Sequence, residues 1–139
     1  MWNGNAFTGT KIALICGGQV VAYLRDDKDG IPFPGLWDLP GGGREGEEDP
    51  VACVLREVEE EFGLRIAADK VRRLTRYTRQ GPGLDSYFCM AEISAGDIER
   101  IVFGDEGQMW SMMAIEAFIA HELAVPHLQR QLQAILAPI

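Results

Sequence analysis

The run Gly42 to Leu64, GGREGEEDPVACVLREVEEEFGL, constrains the chain more than any other stretch, because it specifies a helix and the chemistry of its surface together. Asp49 can cap that helix with its side-chain oxygen, and Pro50 suits the first helical position, where a missing N–H has no intrahelical partner to lose. Gly63 can take the left-handed conformation that closes a helix, so the spacing predicts a helix from Pro50 to Glu61 or Phe62, about three and a half turns long. Val51, Val54, Leu55, Val58 and Phe62 then share one apolar stripe, which must face a core. Glu57, Glu60 and Glu61 stand at i, i+3 and i+4 and meet on a second face. Like charges at that spacing cost an isolated helix about 0.2–0.5 kcal/mol per pair, and the C-terminal half of a helix favours cations. Helix stability therefore does not account for the three glutamates. They are either a solvated surface or the ligands of a hard divalent cation, Mg²⁺ or Mn²⁺, which takes carboxylate oxygens.

What surrounds the glutamates decides between these readings. Gly42, Glu48, Arg56, Glu57, Glu60, Glu61 and Gly63 fit one fixed spacing, G-x5-E-x7-R-E-U-x-E-E-x-G-U, with Val58 and Leu64 at the apolar U positions. At about 7% per residue type, agreement at all those positions arises by chance less than roughly once in ten million starting points. The pattern resembles the signature of the Nudix hydrolases, which cleave nucleoside diphosphates linked to another moiety. Trp37-Asp38-Leu39-Pro40-Gly41-Gly42 before it, and Glu106-Gly107-Gln108 with Trp110 after it, extend the likeness.

The resemblance implies an α/β/α sandwich with a mixed β-sheet, in which a loop, helix and loop hold divalent metal against a pyrophosphate. It implies that Glu57, Glu60 and Glu61 bind Mg²⁺ or Mn²⁺, with the carbonyl of Gly41 as a further ligand. Arg56 and Glu48 resemble a supporting ion pair that orients the helix and its loop. Glu106 is similar to a loop glutamate that joins the metal site or acts as general base. The implied substrate is a small nucleotide, with nucleoside triphosphates, oxidised ones included, the first to consider. One departure leaves the substrate open: Leu123-Ala124-Val125-Pro126 lacks the asparagine with which members acting on oxidised purines read the base. The competing reading is a Nudix-like module that binds a nucleotide or nucleotide sugar without cleaving it. Such a module has no need for three mutually repelling carboxylates.

Composition sets further bounds. A chain of 139 residues predicts one domain, 1–139, large enough to bury a core without staples. No apolar run approaches the roughly 18 residues of a membrane span, and MWNGNAFTGTK lacks the basic and apolar regions of a secretory signal, so the expected location is cytoplasmic. Cys16, Cys53 and Cys89 are odd in number without CxxC spacing, which predicts reduced thiols and neither disulfides nor a zinc site. The net charge of −8 repels a nucleic acid polymer, and repels a small anionic substrate too unless cations neutralise it locally.

The remaining segments read as supports. Lys11–Cys16 and Gln19–Arg25, split by Gly17-Gly18, predict an antiparallel hairpin. Arg25, at its exit, is either a surface charge or a substrate-phosphate ligand. DDKDGIPFP (26–34) reads as a mobile loop at the substrate mouth, Gly35–Leu39 as a brief strand, and Pro40 to Gly43 as a bend towards the helix. Val71–Gln80 and Asp85–Ile93 predict a second hairpin about Gly81-Pro82-Gly83. Its arginines, Arg72, Arg73, Arg76 and Arg79, are strand-face charges or phosphate attractors. Ser111 is expected to cap a helix over Met112–His121, and Pro126 to start a last helix with Leu128, Leu132, Ile135 and Leu136 on one stripe. His121 and His127 read as structural or surface residues. Apolar Met1, Trp2 and Phe7 mark a candidate homodimer contact.

Overall fold

The structure, a computed structural model, describes residues 2–78 and 84–138. Its strands are β1 (Phe7–Cys16), β2 (Gln19–Leu24), β3 (Trp37–Asp38), β4 (Gly41–Gly43), β5 (Arg72–Tyr77), β6 (Asp85–Glu92) and β7 (Met109–Ala114). Its helices are α1 (Pro50–Phe62), α2 (Ala95–Glu99), α3 (Ile115–Ala120) and α4 (Pro126–Ile135). The strands form one mixed sheet in the order β3-β2-β1-β6-β5, with β4 added to β1 and β7 to β2. The expected first hairpin forms, with Ile15 opposite Val20 and Cys16 opposite Gln19. Strand β1 also runs parallel to β6, from Thr10 beside Tyr87 to Ile15 beside Glu92.

Alternation along the strands sorts the core into two layers, because successive side chains point to opposite faces. Ile12, Leu14, Val21 and Tyr23 pack under Val54, Val58 and Phe62 of α1. Ala13, Ile15, Val20 and Ala22 pack on the other face against Phe118 of α3 and Leu128, Leu132 and Ile135 of α4. The architecture is therefore an α/β/α sandwich, as expected. Helix α1 has the expected boundaries: Asp49 accepts from the Ala52 N–H at 2.8 Å, and Gly63, at φ 67°, donates to the Glu59 carbonyl at 2.9 Å.

Three expectations need correction. Ser111 does not cap a helix; it lies within β7, whose Met109 to Ala114 pair with Leu24 to Gln19, and the helix begins only at Ile115. A short apolar run fits strand and helix alike until a partner edge is known, and β2 supplies one here. Gly41–Gly43 is not merely a bend but a strand, paired with Gly9–Lys11. Phe7 is buried at 2% exposure, edge-on to Trp2 and Tyr87 and beneath the Arg44 guanidinium, so it offers no surface for a dimer contact. Met1 lies outside the described residues.

The second hairpin forms between β5 and β6, and two of its basic residues, Arg73 and Arg76, have structural partners. Arg73 donates to the Ile135 carbonyl at the end of α4, and Arg76 lies 3.7 Å from Asp85. Arg79, Gln80 and the Gly81-Pro82-Gly83 tip lie outside the described residues. Cys53 and Cys89 are buried free thiols and Cys16 a half-buried one. Among the described residues no helix is long and apolar enough to cross a membrane. Replacing the α1 cap, Asp49→Ala, is expected to lower stability by about 1 kcal/mol. Urea unfolding should show the midpoint falling with an unchanged slope.

Candidate active site

Strand β4 reaches α1 through glycine alone. Gly41, at φ 124°, would place a Cβ 2.2 Å from the Thr10 carbonyl oxygen, and a Cβ on Gly42 would meet the Glu57 carboxyl carbon at 2.6 Å. The absence of side chains lets the glutamate face of α1 lie directly on this backbone. Glu61 is drawn in furthest: it is 7% exposed, and its Oε1 accepts from the Gly41 N–H at 3.0 Å. Burial pushes its pKa up to about 8, with Glu57 and Asp38 adding repulsion and Lys11 and the Gly41 N–H opposing. Glu57 is also raised, by burial first and then by Glu60 and Glu106, against the pull of Arg56.

The predicted Arg56–Glu48 pair is present as a two-pronged contact, Nε to Oε2 at 2.7 Å and Nη2 to Oε1 at 3.0 Å. Arg56 does more than support the loop. Its Nη1 lies 2.6 Å from Glu45, 2.9 Å from Glu57 and 3.0 Å from Glu60, so with Glu48 one guanidinium stands among four carboxylates. Oxygens of Glu45, Glu57 and Glu60 all lie within 4.8 Å of one another. Among the described residues, the group brought together at that spacing contains Glu57 and Glu60 of the expected trio with Glu45 in place of Glu61, whose carboxylate accepts from the Gly41 N–H instead.

The donors suit a hard divalent cation: all are oxygens, and burial holds the carboxyls of Glu57 and Glu61 above their usual pKa. The Gly41 carbonyl already accepts from Lys11 Nζ at 3.2 Å, and its second lone pair remains for another partner. Glu106 is exposed, in a loop tied to α1 through Gly104 N–H to Glu61 O at 2.9 Å and to β2 through Gln108 N–H to Leu24 O at 2.8 Å. It reaches the other glutamates electrostatically, through its effect on Glu57.

On the opposite side of the glycine strand a cavity of about 650 Å³ opens, with Gly42, Lys11, Arg25, Phe33, His127 and Gln131 in its wall. Arg25 is not a simple surface charge. Its Nη1 donates to Asp38 at 2.8 Å and its Nε to the Pro32 carbonyl at 2.8 Å. Asp38, 2% exposed, also receives Lys11 Nζ at 3.1 Å and the Tyr23 hydroxyl at 3.0 Å. Burial opposes its charge, yet Lys11 and Arg25 together hold its pKa below the usual carboxylate range. Sequence reasoning missed Lys11, Asp38, Glu45 and the cavity role of His127. The available signals were a lone lysine and a lone aspartate inside otherwise apolar strand segments, where unpaired charge is seldom buried.

The NUDIX domain matches residues 10–134, and the chain belongs to that family. A MutT-like protein of Streptomyces ambofaciens is 38% identical over 64 residues, 46% of this chain and 38% of that protein. An RNA pyrophosphohydrolase of Acidiphilium cryptum is 63% identical over 27 residues, 19% of this chain and 16% of that protein. The chain thus spans well under half the length of the curated relatives it matches. Among solved structures, the MutT protein from Methanosarcina mazei superposes with a TM-score of 0.72 at 15% identity, over 97% of this chain and 96% of that one. A bifunctional NMN adenylyltransferase/ADP ribose pyrophosphatase from Francisella tularensis, crystallised with AMP and a Mn ion, gives 0.71 at 18% identity, over 95% of this chain and 42% of that one. At these identities the likeness speaks for the fold.

Asp38 makes a testable link to acid stability. Its folded pKa lies below its unfolded one, so its contribution is present above the unfolded value and is lost as pH falls through the folded one. Asp38→Asn, which strands Lys11 and Arg25, is expected to lose about 3–5 kcal/mol at pH 7. Urea titrations from pH 7 down to 3 should show the gap between variant and parent narrowing as the medium becomes acidic.

Proposed function

We propose that the chain, a single domain over residues 1–139, is a divalent-metal-dependent pyrophosphohydrolase acting in the cytoplasm on a small nucleotide, a nucleoside triphosphate before other nucleoside diphosphate derivatives. The observation that carries this reading is the carboxylate group on α1, separated from a nucleoside-sized cavity only by the glycine strand. The RNA pyrophosphohydrolase and the ADP ribose pyrophosphatase among the similar proteins support the reaction class.

In this reading Glu57, Glu60 and Glu61, with the Gly41 carbonyl, hold Mg²⁺ or Mn²⁺. When bound, the metal neutralises phosphate charge and makes a water more acidic. Arg56 and Glu48 fix the loop that carries the glycines. Lys11 and Arg25 put positive charge on the cavity wall, where the phosphates of a substrate would pass from the cavity to the glutamates. Glu106 enters the site from its pinned loop as a further ligand or as the acceptor of the water's proton. Water oxygen bonds to phosphorus, one phosphoanhydride P–O bond breaks, and the proton leaves with the base, so two phosphate-containing products result from one substrate.

Nucleotides incubated with the protein and Mg²⁺ or Mn²⁺, with products separated by chromatography, would identify the broken bond. Glu57→Gln and Glu61→Gln, checked for folding by circular dichroism, are expected to lose on the order of a hundredfold in kcat, about 2.7 kcal/mol of barrier. Excess EDTA should stop the parent. Full activity in both variants, or in EDTA, would refute the mechanism.

A further inference from the structure

Among the described residues, two that are not glycine adopt left-handed backbone: Arg73 at φ 57° and Phe33 at φ 50°. For a bulky residue this conformation is unfavourable, and it persists only where the surroundings hold it. Arg73 has a structural reason, since the β5 irregularity lets its guanidinium reach the carbonyls of Ile135 and Ala137. Phe33 has no comparable internal reward. Its side chain remains 40% exposed, although a phenyl ring is the side chain that gains most from cover.

What Phe33 does have is a position. The segment 26–35 is fastened to β2 and its exit by Arg25 N–H to Leu36 O, Gly35 N–H to Asp26 O and Arg25 Nε to Pro32 O, all at 3.0 Å or less. The ring is thereby held on the cavity wall, 5.6 Å between centroids from the ring of His127 on α4 and inclined to it by 52°. Gln131 lies one turn beyond His127 on the same helix face and lines the same cavity, and its side chain hydrogen-bonds to no other described residue, whereas Gln129 spends its amide on the Phe118 and His121 carbonyls. The cavity wall thus offers an aromatic surface and an uncommitted carboxamide, which carries one donor and one acceptor group. Lys11 and Arg25 add positive charge to the same wall.

We infer that Phe33 and His127, whose rings pack on each other, form one aromatic wall against which the face of a planar heterocycle stacks and that Gln131 reads its polar edge, so that these three residues set the base preference of the proposed nucleotide hydrolysis. The strain at Phe33 keeps the ring where the ligand needs it. This inference rests on the nucleotide reading above, and its test does not require turnover.

Phe33→Asn relieves the backbone, because asparagine tolerates the left-handed region, and removes the ring. Its melting temperature is expected to rise by about 2–4 °C while binding of nucleotide weakens about tenfold or more. Calorimetry in Mg²⁺ with the α,β-methylene analogues of ATP, GTP, CTP and UTP reads that loss, Phe33→Tyr should restore parental binding, and Gln131→Leu should flatten the ranking of the four analogues. Ribose 5-phosphate 1-diphosphate, which has no base, should bind the parent and Phe33→Asn alike. The stacking wall is overturned if Phe33→Asn binds the analogues as the parent does, if the base-free diphosphate weakens equally, or if the parent binds none of the four. A parent that binds them but hydrolyses no natural nucleotide would sink the proposed function and leave the stacking wall standing.

Discussion

The contact of strand β4 with its two neighbours is the constraint on which the site depends. Gly9 and Gly41 let β4 press against β1, where a Cβ on either would come within 2.2 Å of a carbonyl oxygen, and Gly42 lets Glu57 lie on the strand from the other side. A side chain at any of these positions would push apart layers that meet at backbone distance, and packed interiors do not yield by such amounts without loss. The same contact turns a peptide N–H of β4 toward Glu61 and a carbonyl toward Lys11. Backbone geometry, more than any one side chain, fixes where the carboxylates stand relative to the cavity.

Charge is arranged around that contact in alternation. The chain carries a net −8, yet three of its cations are drawn into the site: Lys11 and Arg25 onto Asp38, and Arg56 among Glu45, Glu48, Glu57 and Glu60. Buried Asp38 is stabilised as an anion because two cations and the Tyr23 hydroxyl compensate for lost water. Glu61 is difficult to ionise because burial strips its water and no cation among the described residues lies at hydrogen-bond distance to compensate. The glycine strand therefore divides an electropositive cavity wall from an electronegative helix face, a polarity suited to a substrate whose phosphates must leave one for the other.

Residues whose local sequence determines their state were legible in advance. Asp49, Pro50 and Gly63 bracket α1 because capping and left-handed closure are decided within a few residues, and the spacing of Gly42 to Leu64 placed the glutamates on one helix. Strand β4 was not legible, since three glycines carry no periodicity and become a strand only because β1 offers an edge. The end of β7 was misplaced for the same reason in reverse: Met112 and Met113 suit a helix until β2 captures them. Burial of Glu61, and the meeting of Lys11, Arg25 and Asp38, depend on three strands converging, which no window of sequence contains. Arg25 illustrates the limit, because its residue type allowed a phosphate ligand or a surface charge, whereas the structure makes it a tie between Asp38 and the loop at Pro32.

Separation of the helix face from the cavity wall also bears on how such a site can vary. The fixed spacing from Gly42 to Leu64 governs the helix face and its loop, while Phe33, His127 and Gln131 come from the segment after β2 and from α4, outside that spacing. Neither of these segments packs on the glutamates, so a change in one need not disturb the other, as substitutions at distant sites without shared partners act independently. The fold is shared with the Methanosarcina mazei protein at a TM-score of 0.72 while only 15% of residues are identical. A layered core that tolerates many sequences, combined with a helix surface that tolerates few, yields that combination: layers need volume and alternation, whereas the carboxylate face needs particular atoms at particular distances. Preference among ligands is then set by residues that the signature leaves unspecified.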